Sequence, residues 1–116
     1  INKCHSVECY ENENLIGGLY GVHLGSCFFG ESMFSLKKNT SKFCLLYLLS
    51  ILKKNNFKLL DSQFFNYHLL QFGAYEIKTE SYEKKLEESL KVKSNFKDLK
   101  NFQESLSLIQ SSNQRS

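Results

Sequence analysis

An α+β fold, built on one mixed and mainly antiparallel sheet with helices packed on it, is predicted by three features of this 116-residue chain. Runs of β-forming residues broken by turn residues fill the first 35 positions, one leucine-rich stretch of helical period follows, and short strand-like runs come after it. The length suits one compact domain that buries roughly 65% of its unfolded surface. With 41% hydrophobic residues and ten Phe, the chain has the apolar side chains to fill a core, which excludes a disordered class.

Ser6 to Tyr10 reads as the first strand, Glu11-Asn12-Glu13-Asn14 as a turn, and Leu15 to Leu24 as the second strand. Gly17, Gly18 and Gly21 inside that strand signal a bulge or a close approach by another backbone or a ligand. Gly25-Ser26 makes the next turn and Cys27 to Glu31 the third antiparallel strand. Asn39-Thr40-Ser41 offers N-cap side chains to a helix with apolar residues at 45, 46, 48, 49, 51 and 52. It ends in Lys53-Lys54, as the macrodipole prefers. Phe57 to Leu60 predicts a short strand ending in Asp61-Ser62-Gln63, a place where α/β sheets build sites. A short helix capped by Asn66 is expected through Phe72 with Gly73 at its C′ position, then a strand over Ala74 to Ile77. Glu80 with Lys84, Glu87 with Lys91, and loosely spaced Leu86, Leu90, Phe96, Leu99, Phe102 and Leu106 predict one or two amphipathic helices. The expected division is a domain over 1–83 and a helical C-terminal tail over 84–116 with a polar, frayed end.

Within FGESMFS, residues 29–35, Glu31 stands in an apolar run. Buried without a partner it would cost several kcal/mol, so the position calls for a cation or a ligand. Charge is uneven: between 37 and 58 lie Lys37, Lys38, Lys42, Lys53, Lys54 and Lys58 with no acid, a candidate polyanion surface or simply a solvated helix. Cys4, Cys9, Cys27 and Cys44 lack C-x-x-C spacing and a suitably placed His, so reduced thiols, no metal and no cofactor are expected. The longest apolar run, 43–49, falls short of the roughly 20 residues that span a bilayer, and no leader pattern precedes Leu15. A cytoplasmic monomer without membrane contact is the expectation.

GGLYGVHLGSCFFGESMFS, NTSK, FKLLDSQ and NYHLLQFGAYEI resemble the catalytic domain of bacterial leucyl/phenylalanyl-tRNA–protein transferases, whose motifs read FxGESMFS, ASK, DCQ and HxxSxGAxEI. The resemblance runs from about Cys4 to about Leu86, and FGESMFS followed by DxQ is its most specific part. It implies a fold similar to the Gcn5-related N-acetyltransferase fold. It also implies transfer of Leu or Phe from aminoacyl-tRNA to the α-amine of proteins with N-terminal Arg or Lys, which tags them for N-degron proteolysis. Asp61 would orient Gln63 toward the attacking amine, and Glu31 would face cationic groups of the substrates. The donor pocket implied is Leu19, Phe28, Met33, Leu48 and Leu60, with Ser32, Ser35, Tyr20 and Asn66 completing the substrate-binding set. Lys37, Lys38, Ser41 and Lys42 are expected to contact tRNA phosphates. Ser62 replaces the usual Cys, Gln71 the usual Ser and Lys78 the usual Pro, and the family's N-terminal domain has no counterpart here. The chain is therefore expected to be fragmentary at its N-terminus.

A coenzyme A-dependent acetyltransferase would need a glycine-rich pyrophosphate loop opening a helix, and the main helix opens at NTSK without one. A non-catalytic binding module for basic N-termini, or a transferase using another aminoacyl donor, would keep the same cleft.

Overall fold

A computed structural model describes residues 3–62, 66–70 and 73–100, with the side chains of 66–70, 73–76 and Thr79 excepted. The elements in chain order are β1 (Cys4–Glu11), β2 (Asn14–Leu24), β3 (Cys27–Ser35), α1 (Thr40–Lys54), β4 (Leu59–Ser62), β5 (Asn66–Leu70), β6 (Gly73–Glu76) and α2 (Thr79–Leu90). One sheet takes all six strands in order β1 to β6. Every neighbouring pair is antiparallel except β3 and β4, whose parallel pairing needs the crossover that α1 provides. The mixed, mainly antiparallel α+β architecture is thus as expected.

Asn12 and Glu13 both have positive φ, 50° and 73°, the requirement of the two-residue turn that matches strand twist. At the β2–β3 turn Gly25 has φ 57°, and an added Cβ would stand 2.7 Å from the carbonyl oxygen of Leu90. Only glycine lets the end of α2 come so close.

The sheet separates two environments. Phe28, Leu60 and Leu19 join Leu48, Ile51 and Leu52 of α1 in one core cluster with Val7 and Phe57. Each such aliphatic residue contributes roughly 1.5–3 kcal/mol when fully buried. The neighbouring residues Cys27 and Asp61 turn instead to α2, where Ser89 and Tyr82 meet them.

Three expectations are corrected. Residues 66–70 form a strand, not an Asn-capped helix. A helix as short as 67–72 is marginal, whereas pairing Asn66–His68 with Leu59–Asp61 satisfies backbone groups that would otherwise leave β4 a bare edge. Asn39 sits at the N-cap of α1 with φ 67° and no side-chain capping bond. The third concerns the tail: α2 ends at Leu90 and 91–100 is not helical. Phe96 and Leu99 are apolar because they cover the core: the Phe96 ring stacks on His5 at 4.0 Å between centroids, and Leu99 is buried. Asn55 Nδ2 and Tyr47 Oη donate to the Lys97 carbonyl (2.7 Å) and to Asp98 Oδ1 (3.0 Å), tying the segment to α1. Residues 101–116 lie outside the described residues.

His5 Nε2 and His23 Nδ1 are 2.7 Å apart, so one nitrogen donates and the other accepts. Burial lowers both imidazoles below 6.5, aided by mutual repulsion at His5 and by Lys3 at His23, against a hydrogen bond that the His23 ring donates to the Ser94 backbone. Because the unfolded chain then binds protons first, the stability these rings contribute is full above pH 6.5 and is lost as pH falls through the native values. The melting temperature should drop between pH 7 and pH 5, and drop less in His5→Phe; a pH-independent wild-type midpoint would contradict the pairing.

Candidate functional site

Among the described residues β4 pairs with β3 from Cys27↔Leu59 to Gly30↔Ser62, while β3 continues to Ser35 paired with β2. Along β2, Tyr20 pairs with Ser32 but Gly21 pairs with Gly30, which leaves Glu31 as the extra residue of a β-bulge. Bulges re-aim side chains. Glu31 is exposed, so the expected burial penalty does not arise: at the bulge the residue stands in solvent and not in the core.

Beside the bulge lies a cavity of about 30 Å³ lined by Leu19, Met33, Leu48 and Leu60, together with Glu31 and Ser32. Gly30, Leu45 and Ser62 also line it, and sequence reasoning missed them. Leu45 could have been found one helical turn before Leu48, and Ser62 two residues beyond Leu60 on the same face of the strand. Phe28 does not line this cavity; it is fully buried in the core, its ring centroid 5.6 Å from that of Phe96.

Tyr20 is exposed, and its phenol is raised chiefly by a hydrogen bond with Cys4 and least by the charge of Glu31. Ser35 Oγ donates to the carbonyl of Lys37 at 2.5 Å, closing the turn before α1. Lys37 pairs with Glu11 across the surface, Lys38 and Lys42 are exposed, and Ser41 is half-buried.

Asp61 stands opposite Phe29 of β3, on the α2 face of the sheet, so it is not brought into the cavity with Leu60 and Ser62. The Tyr82 hydroxyl donates to Asp61 Oδ2. Burial, then that bond and the carboxylate charge, push the Tyr82 phenol well above its ordinary value. The spacing pattern had no means of revealing this partner, 21 residues away in sequence. Gln63 lies outside the described residues, and the backbone of Asn66 pairs with Asp61.

Cys27 is no nucleophile: burial and then Asp61 push its thiol up to about 12, only partly offset by Ser89. Burial also raises Cys44. Among the described residues no three His, Cys, Asp or Glu side chains gather as a metal site, and no helix is long and apolar enough to cross a membrane. A larger cavity of about 480 Å³ lies between β1 and α1, lined by Val7, Cys9, Phe43, Tyr47 and Phe96 among others. It contains none of the sequence-predicted site residues, so size alone does not locate the chemistry.

Residues 1–87 match the family model described as leucyl/phenylalanyl-tRNA protein transferase. A leucyl/phenylalanyl-tRNA–protein transferase of Desulfotalea psychrophila is 54% identical over 82 residues, covering 71% of this chain and 36% of the relative. Proteins of the same name from Maricaulis maris and Hyphomonas neptunium are 47% identical over 95 residues and 49% over 92. These matches cover 82% and 79% of this chain, and 44% and 36% of the relatives. The chain thus spans less than half the length of the curated relatives it matches.

Proposed function

The chain belongs to the leucyl/phenylalanyl-tRNA protein transferase family, and we propose that it forms the aminoacyl-transfer part of such an enzyme, moving Leu or Phe from aminoacyl-tRNA to the α-amine of a protein with N-terminal Arg or Lys. The observation that carries this is the apolar cavity of Leu19, Met33, Leu48 and Leu60, with exposed Glu31 among its lining residues. An apolar pocket suits a Leu or Phe side chain, and an anion beside it suits a cationic acceptor. We take the mixed sheet, with its parallel β3–β4 pair, as one of the Gcn5-related acetyltransferase type.

The reaction needs no cofactor. An aminoacyl ester is already activated; the amine nitrogen attacks its carbonyl carbon, the ester C–O bond breaks, the tRNA hydroxyl leaves with a proton, and a peptide bond remains. An α-amine with pKa 7.7–8.0 loses its proton at a cost of about 1 kcal/mol at neutral pH. Catalysis then consists of aligning two substrates and stabilising the tetrahedral oxyanion. In this reading Asp61 orients Gln63 toward the amine and Glu31 holds the acceptor's positive charge. Lys38, Ser41 and Lys42, with Lys37, supply weak phosphate contacts. The reading extends to a cytoplasmic monomer that marks its acceptors for N-degron proteolysis.

The cavity is too small for a donor side chain as it stands, since an engineered hole of about 150 Å³ is what admits benzene. Half-buried Met33, with three rotatable bonds, is the wall able to yield. Met33→Ala should therefore shift donor selectivity toward Phe over Leu by about tenfold, within the range a few methylenes control. Transfer from Phe-tRNA and Leu-tRNA to an Arg-initiated peptide, run in parallel, reads this ratio; an unchanged ratio would remove Met33 from the pocket.

A further inference from the structure

We propose that Tyr82 is a positioning residue for aminoacyl transfer, acting through Asp61. The proposal rests on the reading of Asp61 as part of the transfer machinery. Helix α2 is held at both ends. Its C-terminal end is clamped to the β2–β3 turn, where Ser26 N (2.8 Å) and Ser26 Oγ (2.6 Å) both donate to the Ser89 carbonyl and Gly25 abuts Leu90. Its first turn places half-buried Tyr82 against the end of β4, where the phenol donates to Asp61 Oδ2.

A carboxylate at a strand end has free rotation about χ2 unless something fixes it. Here one oxygen is taken by Tyr82, which fixes the plane of the carboxylate and leaves the other oxygen for a second partner. A half-buried phenol facing a carboxylate keeps its proton, so Tyr82 acts as a permanent donor and not as an acid or base of the reaction. The bond thus fixes an orientation without joining the chemistry. Cys27 on β3, which also faces Asp61, stays protonated and supplies no competing charge.

The test is a double-mutant cycle with Tyr82→Phe and Asp61→Asn, measured as Leu transfer by the full chain. Tyr82→Phe should lower kcat about tenfold while leaving KM for aminoacyl-tRNA within twofold and the melting temperature nearly unchanged. In the Asp61→Asn background the same change should alter the rate by less than twofold. Independent, multiplying losses, or a loss carried by KM, would overturn the proposal and leave Tyr82 a structural residue of α2. A readout free of activity accompanies it: ultraviolet difference titration of wild type against Tyr82→Phe isolates the Tyr82 phenol. It should titrate above an ordinary tyrosine and move down in Asp61→Asn. A phenol indifferent to Asp61→Asn would overturn the contact itself. A wild-type chain that shows the titration shift but transfers nothing would instead overturn the transfer reading and, with it, the role given to Tyr82.

Discussion

Replacing Asp61 with Ala should abolish measurable transfer, lowering kcat by about 10²–10³-fold, the loss seen when one preorganised group at a reacting centre is removed. The fold should survive it. Asp61 is half-exposed at the last turn of the β4 ladder, and the Tyr82 hydroxyl that loses its acceptor is itself only half-buried and can turn to water. The stability cost is then about 1–2 kcal/mol, the lower part of the range for orphaning a hydrogen-bonding group. Single-turnover transfer measured beside a thermal melt separates the two effects. Wild-type turnover by Asp61→Ala would sink the proposed role, and a collapsed melt would show that Asp61 is structural first.

Gly21→Ala should be the most damaging single methyl in the protein's sheet. A Cβ there would stand 2.3 Å from the carbonyl oxygen of Phe29 and 2.5 Å from Cε1 of Phe28. Neither is the free end of a flexible side chain: one is β3 backbone and the other a fully buried core ring. Relief requires separating β2 from β3 at the bulge that turns out Glu31, so stability should fall by about 3 kcal/mol, the upper part of the overpacking range. Out of a total of 5–15 kcal/mol that is a large loss. By contrast a Cβ at Gly30 would meet the Ser62 Cβ at 3.3 Å and the Asp61 carbonyl oxygen at an ordinary 3.8 Å, so Gly30→Ala should be tolerated by the fold while narrowing the cavity. Urea unfolding of the two variants checks the order; a Gly21→Ala protein within 1 kcal/mol of wild type would contradict the β2–β3 register.

The elements that were legible in the sequence are those whose pattern is local. Alternation and turn residues marked β1 to β3, and leucines at helical spacing before Lys53-Lys54 marked α1. The errors come where tertiary pairing decides. Asn66 and Gly73 look like the two ends of a helix, yet the segment is recruited as β5 by the open edge of β4. Phe96 and Leu99 have helical spacing from Leu86 and Leu90 by coincidence; their apolar character answers to His5, Phe28 and the α1 core. The same division holds at the site. Leu19, Met33, Leu48 and Leu60 were named on a family resemblance that the matches bear out, and the fold assembles them around one cavity. That Glu31 sits in a bulge depends on a register shift opposite Tyr20 and Gly21, and that Asp61 is held by Tyr82 depends on where α2 docks. Neither is written in residue spacing.

Met33 is the chain's one methionine, so a single ¹³C-methyl resonance reports on the cavity without interference. Titrating the labelled protein with amide-linked, non-hydrolysable leucyl-, phenylalanyl- and glutamyl-adenosine tests directly whether this cavity receives the donor side chain. If the cavity is the donor pocket, the Met33 methyl shifts with the leucyl and phenylalanyl compounds, more strongly under the phenyl ring, and stays in place with the glutamyl one. A resonance that ignores all three, or moves equally with each, would contradict the assignment of the donor pocket to Leu19, Met33, Leu48 and Leu60.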